Sequence, residues 1–411
     1  MTLPRTHRRT FAAVGVLASA AMVTAMASAP ATAAPSVGEI RSAGGATAVA
    51  DSYIVVLKDS SVGGRAGTRQ AAVKSTASSL AERFGGSLGH VYGDALNGFE
   101  VKLSERAAKR LAAHPSVDYV EQNHTVTMDA TQTNPPWGLD RIDQRNLPLS
   151  ASYSYVSTGA RVKAYIVDTG IRTTHNDFGG QAIDGYDAID NALPAADCNG
   201  HGTHVAGTVG GTSYGVAKDV TLVAVRVLNC QGSGTWAQVI AGINWVTSDH
   251  QPGQPAVANM SLGGGLNTSL NTAVANSIAD GVTYAVASGN SNQNACNFSP
   301  ASVPTALSVN ASQSNDARAS FSNWGTCTDL FAPGVSVLSA WHTSNTATNT
   351  ISGTSMASPH VAGAAARVLQ VNPTWTPAQV HSYIVSQATT NVITNPGTGS
   401  PNRLLYLAPT F

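Results

Sequence analysis

From Trp137 onward the chain alternates short apolar runs with stretches of helical periodicity, and no other feature of the sequence restricts the fold as much. The runs are Val162 to Val167, Val220 to Leu228, Val257 to Met260, Thr283 to Ala287 and Ala306 to Val309. Each is short for a helix and mostly apolar, as suits a strand buried on both faces. Strands separated by helices pair in parallel, so an α/β fold is expected, a parallel sheet with helices on both faces. In such sheets polar functional groups collect at the carboxyl ends of the strands.

The amino-terminal part has a different composition. After Glu121 the chain contains no Glu and only two lysines, Lys163 and Lys218, leaving Asp as the sole acidic side chain. Ahead of that boundary, Ser52 to Thr127 reads as a small α+β unit. Tyr53 to Leu57 is a β-branched, aromatic strand, and Ala72, Val73, Thr76, Leu80 and Phe84 recur at helical spacing. Gly98 to Leu103 is strand-like again; Ser104 can cap a second helix that Pro115 stops, and Val117 to Val126 returns to strand. With one more strand at Gly89 to Tyr92 the order is ferredoxin-like. Over all 411 residues basic and acidic side chains balance at a formal net charge of zero, and no run of five like charges occurs. Neither nucleic acid nor an acidic lipid surface is expected as a partner.

The first residues have the form of an export signal. Arg5, Arg8 and Arg9 precede an apolar, Ala-rich stretch from Phe11 to Met26, and Ala31-Thr32-Ala33 offers a small-x-small cleavage site. The stretch is short for an anchor and no second hydrophobic span accompanies it, so a secreted protein is expected, with no membrane attachment once residues 1–33 are removed. Four cysteines in an exported chain favour disulfides over metal thiolates, and three pairings are possible. The local one, Cys198 with Cys230 and Cys296 with Cys327, closes two loops of about thirty residues, each contributing about 3 to 4 kcal/mol by chain entropy.

Three segments carry chemistry, in the order Asp, His, Ser. Val167-Asp168-Thr169-Gly170 ends a strand, His201-Gly202-Thr203-His204 opens a helix, and Gly353-Thr354-Ser355-Met356-Ala357-Ser358-Pro359 opens another. A hydroxyl is a weak nucleophile, so an imidazole must take its proton while a carboxylate orients the ring and stabilises the cation formed. Asp168, His201 and Ser355 supply those groups. Singly each has an ordinary alternative: Asp168 as a loop cap, Ser355 as a helix cap, His204 or His360 as the base. The small residues Ala362, Gly363, Ala364 and Ala365 suit a buried helix, and the serine segment is not the Gly-x-Ser-x-Gly elbow of α/β-hydrolases.

These three segments resemble the Asp, His and Ser boxes of the subtilases, and Pro136-Trp137-Gly138-Leu139-Asp140-Arg141-Ile142 resembles the mature start of the proteinase K family, especially its aqualysin-like branch. The resemblance covers nearly all of residues 130–411, while Ser52 to Thr127 resembles the subtilase propeptide, which assists folding and then inhibits. It implies a signal peptide (1–33), a propeptide (34–129, folded core about 52–127) and a subtilisin-like peptidase domain (130–411). The product would be a secreted, self-processed serine endopeptidase, monomeric and needing no cofactor for catalysis. Mature protein would begin between Met128 and Thr131; the family favours Ala130, but Asp129 fits an apolar pocket poorly and leaves cutting after Met128 open. With Phe411 soon after the last expected helix, no appended binding domain is anticipated.

The resemblance also implies Asn290 as oxyanion donor beside the Ser355 N–H. Ser261, Leu262 and Gly263 with Ala287, Ser288 and Gly289 would wall the primary specificity pocket, and Gly232, Ser233 and Gly234 would pair with substrate backbone. Neither wall is acidic, so apolar or aromatic residues are expected before the scissile bond of protein and peptide substrates. Structural Ca²⁺ would be held by the Pro304 and Ala306 carbonyls with the Asp329 carboxylate, and by Asp140, Asp143 and Gln144. Two rivals remain: a metallohydrolase using His201, His204 and Asp197, which lacks a His-Glu-x-x-His arrangement, and a non-catalytic peptide-binding module.

Overall fold

The computed structural model describes residues 37–45, 48–63, 69–125 and 130–409. The export segment with Ala31 to Ala33, and the Met128 and Asp129 cleavage positions, lie outside them. The chain forms two compact units, the first ending at Thr125.

In the smaller unit five strands lie in the spatial order Ile40–Arg41, Val117–His124, Ala48–Leu57, Gly98–Lys102 and Ser87–Tyr92. With helices Arg69–Phe84 and Glu105–Ala112 in their sequence positions this is the ferredoxin-like order plus one short edge strand. Tyr53, Val55 and Leu57 share one face at period two and pack against Val73, Ala77, Leu80, Ala108 and Leu111. Ser104 occupies the cap position, but its side chain makes no cap bond. Its carbonyl instead accepts the Ala107 and Ala108 N–H groups, and Glu105 brings negative charge to the first turn.

The larger unit is built on a nine-stranded sheet in the order Thr389–Thr390, Arg403–Leu404, Leu330–Pro333, Leu307–Ser312, Thr283–Ala287, Ala256–Met260, Lys163–Asp168, Thr221–Arg226 and Ala182–Asp187. Every pairing is parallel except that of Thr389–Thr390 with Arg403–Leu404. Ala164 and Ile166 face one core with helices His201–Gly210, Thr354–Val371 and Pro377–Gln387. Tyr165 and Val167 face the other with helices Trp236–Asp249 and Thr268–Asp280. The edge strand Ala182–Asp187 is polar and offers no apolar run, while Leu330–Pro333 is apolar but only four residues long; neither was among the strands expected from the sequence.

Candidate active site

Lys163–Asp168 lies between the strands that follow it on either side, where the direction of winding reverses and clefts open at carboxyl ends. Asp168 ends it, fully buried. Its Oδ1 accepts the Thr169 N–H and meets His201 Nδ1, both at 2.8 Å. His201 is the first residue of helix His201–Gly210, entered through Gly200 at φ 111°. A Cβ on Gly200 would stand 2.5 Å from ring atoms of Trp341 and His342, so only glycine fits.

Burial pushes the His201 pKa down, but the Asp168 charge and hydrogen bond, with the Asp197 charge, more than offset it and hold the ring above its usual value. Asp197 fastens the surrounding loop. Its Oδ1 accepts from Thr169 Oγ1 and from the Asn199 and Gly200 N–H groups; its Oδ2 accepts the Thr203 N–H and hydroxyl. The next residue, Cys198, is joined to Cys230.

Ser355 stands second in helix Thr354–Val371. Pro359 has no N–H to give the carbonyl four residues earlier, which is that of Ser355. The Ser261 hydroxyl donates to that carbonyl at 2.7 Å, and the Ser355 hydroxyl returns the bond to Ser261 O at 3.1 Å. Asn259 Nδ2 donates to Ser261 Oγ, and the Ser358 hydroxyl to Asn259 Oδ1. The structure thus joins Asp168 to His201 directly, whereas the Ser355 hydroxyl is turned to Ser261 and not to the imidazole.

Asn290 is oriented by Thr354, whose N–H and hydroxyl donate to its Oδ1 at 2.8 and 2.9 Å. That assignment leaves Nδ2 as an outward donor. A Cβ on Gly353 would lie 3.4 Å from Asn290 Nδ2 and 3.6 Å from Ser355 N, so the two donors flank a common space. A cavity of about 230 Å³ is lined by Leu262, Gly263, Ala287, Ser288, Gly289, Asn290 and Ser355, with Phe298 and Ala301. A larger one of about 760 Å³ includes His201, Gly232, Ser233, Gly234, Ser261, Leu262 and Gly263. No acidic side chain lines either.

The other histidines have separate partners. Burial pushes the pKa of His204 and of His360 down to about 4; His204 Nε2 lies 3.0 Å from Val337 O and His360 Nδ1 lies 2.8 Å from Met356 O. Cys296 is joined to Cys327, completing the local disulfide pairing. Of the two cation candidates, Asp329 has Oδ2 bonded to Ser308 N–H and Oδ1 facing His381 Nε2 at 3.2 Å. Asp140 accepts Ser150 and Ala151 N–H groups, and Gln144 Oε1 accepts Ser150 N–H. Asp143 Oδ2 accepts the Ser154 N–H, but its Oδ1 is buried without a partner, an orphan that an oxygen-seeking cation would satisfy. Asn259, Ser358, Thr354 and the fastening role of Asp197 were missed by sequence reasoning; only Pro359 inside a helix gave a local sign of an orphan carbonyl.

Residues 159–404 match the subtilase family model and residues 52–129 the peptidase inhibitor I9 model. An extracellular serine proteinase of Thermus sp. (strain Rt41A) is 58% identical over 322 residues, covering 78% of each chain. Alkaline serine exoprotease A of Vibrio alginolyticus is 52% identical, covering 77% of this chain and 59% of that one. A cold-adapted subtilisin-like serine proteinase of known crystal structure shares 53% identity at a TM-score of 0.65, covering 67% of this chain and all of that one. The chain belongs to the subtilase family. Within it, it is a secreted serine proteinase that carries an I9 inhibitor unit ahead of its peptidase domain.

Proposed function

We propose that the protein is an endopeptidase acting through an acyl-enzyme, with Ser355 as nucleophile, His201 as base and Asp168 as the group that orients it. The observation that carries the reading is the 2.8 Å contact of Asp168 Oδ1 with His201 Nδ1, which keeps the proton on Nδ1 and leaves Nε2 to accept one. On substrate binding the Ser355 hydroxyl leaves Ser261 O, and its Oγ bonds to the peptide carbonyl carbon as its proton passes to His201 Nε2. The oxyanion meets Asn290 Nδ2 and Ser355 N–H. When the tetrahedral species collapses, the C–N bond breaks, the amine leaves with the proton held by His201, and water later hydrolyses the ester by the same path.

Broad specificity with apolar or aromatic residues before the scissile bond follows from the uncharged cavity between Ser261–Gly263 and Ala287–Gly289, while Gly232–Gly234 pairs with substrate main chain. The chain divides into signal (1–33), propeptide (34–129) and peptidase (130–411), the propeptide assisting folding and then inhibiting until it is cut off between Met128 and Thr131. The mature enzyme is a monomer. Structural Ca²⁺ is held by Asp140, Asp143 and Gln144, where the orphan Asp143 Oδ1 supports it, and by Pro304, Ala306 and Asp329, where it would displace His381.

Casein hydrolysis by the secreted protein and by Ser355→Ala, with amino-terminal sequencing of both, tests the reading. The wild type is expected to be active and to begin near Ala130, the variant to be inactive and uncut. A fully active variant would exclude Ser355 as nucleophile.

A further inference from the structure

The segment Ser288 to Gln293, which carries Asn290, has no regular secondary structure, so its backbone groups need partners from elsewhere. Asn323 supplies four of them, more than any other residue. It is fully buried; its Nδ2 donates to Ser288 O at 2.8 Å, and its Oδ1 accepts the Ser291 N–H at 3.1 Å and the Gln293 N–H at 2.9 Å. Its own backbone N–H donates to Gly289 O at 2.8 Å. Bonds therefore fall on the residues either side of Asn290 and on those beyond. Gly289 makes room for this side chain: its φ is +106°, and a Cβ there would stand 2.3 Å from Asn323 Nδ2. Farther along, the Cys296–Cys327 bond ties together the same two stretches of chain.

We propose that Asn323 is a positioning residue for Asn290, holding the backbone on both sides of it so that Nδ2 stays aimed at the developing oxyanion. The inference rests on Asn290 being the oxyanion donor. Thr354 fixes the rotation of the Asn290 carboxamide, but only the backbone can fix where that carboxamide stands. A carboxamide is required at position 323, since the segment offers one acceptor and two donors: aspartate cannot donate to Ser288 O, and serine is too short to span the three contacts. Misplacement of a donor by a fraction of an ångström weakens transition-state binding and leaves ground-state binding nearly untouched.

The test is a four-chain cycle of wild type, Asn323→Ser, Asn290→Ala and the double variant, each secreted whole and, where it does not mature alone, converted by resin-bound wild-type enzyme that is then filtered off. Turnover of a peptide p-nitroanilide is measured. Asn290→Ala is expected to lower kcat about 100-fold or more. Asn323→Ser is expected to lower it about tenfold with KM within about twofold, and in the Asn290→Ala background to change it less than about twofold. An equal loss in both backgrounds would show a general structural role and overturn the inference while leaving the oxyanion reading intact. Wild-type kcat in Asn290→Ala would remove the reading itself and the inference with it. Should Asn323→Ser not fold, Asn323→Asp keeps the size and the acceptor, loses the donor, and is put through the same cycle with the same expected pattern.

Discussion

The two units solve the problem of charge in opposite ways. In the smaller one Glu105 and Lys109 pair one helical turn apart at the surface, with side chains 62% and 46% exposed, above a core of alternating apolar residues. In the larger one Arg141 and Arg367 are fully buried. Arg141 binds both Asp316 oxygens, at 2.7 and 2.9 Å, across 175 residues of chain, and Arg367 donates to Tyr153 Oη across 214. One unit can settle by local apolar packing; the other must be nearly assembled before its interior ions find partners. Contacts that distant in sequence make folding slow, which suits the folding assistance proposed for the smaller unit.

The comparison breaks most directly at Arg141. Arg141→Met, placed in the Ser355→Ala chain to prevent self-digestion, leaves the Asp316 charge buried and alone, and urea unfolding should show a loss of about 3 to 5 kcal/mol in the larger unit. An unchanged midpoint would mean that the buried pair does not govern stability. Acid should separate the units next. His204 and His360, held to about 4, titrate near 6.5 when unfolded, so the unfolded chain binds more protons between those values. The stability that these two histidines contribute to the larger unit is therefore complete above about pH 6.5 and falls by a few kcal/mol toward pH 4. Its Tm should drop between pH 7 and 5, and His360→Gln should flatten the slope.

Asp197→Asn gives a smaller effect, read in the pH profile. In the proposed mechanism only neutral His201 accepts the serine proton, so kcat/KM rises as pH passes its raised pKa; removing the Asp197 charge should move that acid limb to lower pH. A limb that stays in place would confine Asp197 to holding the loop. Smallest of all is Lys109→Ala, whose exposed pair should leave the Tm unmoved.

What could be read in advance was whatever repeats or lies close in sequence. The five apolar runs announced the sheet, and the residues around Asp168, His201 and Ser355 carried their own local marks. Asn259, Ser261 and Ser358 show why the remainder was hidden. Nothing in the sequence says that the Ser261 hydroxyl meets a carbonyl 94 residues later, because that contact is made by sheet and helix packing. Arg141 was visible only as part of a family-like segment, since an arginine read locally belongs at the surface. Asn323 sits among other small polar residues and could be picked out only once its neighbours across the loop were known.

Pro359 sets stability and activity against each other. Replacing it with alanine would mend the helix, giving Ser355 O the ordinary donor it lacks and favouring the folded chain in any screen that scores only heat resistance. The same change would give the Ser261 hydroxyl a competitor for that carbonyl and slacken the clasp between Ser261 and Ser355, the proposed nucleophile. Selection for toughness alone would thus drift toward a sturdier and slower enzyme, and only selection that also counts turnovers would keep the imperfect helix.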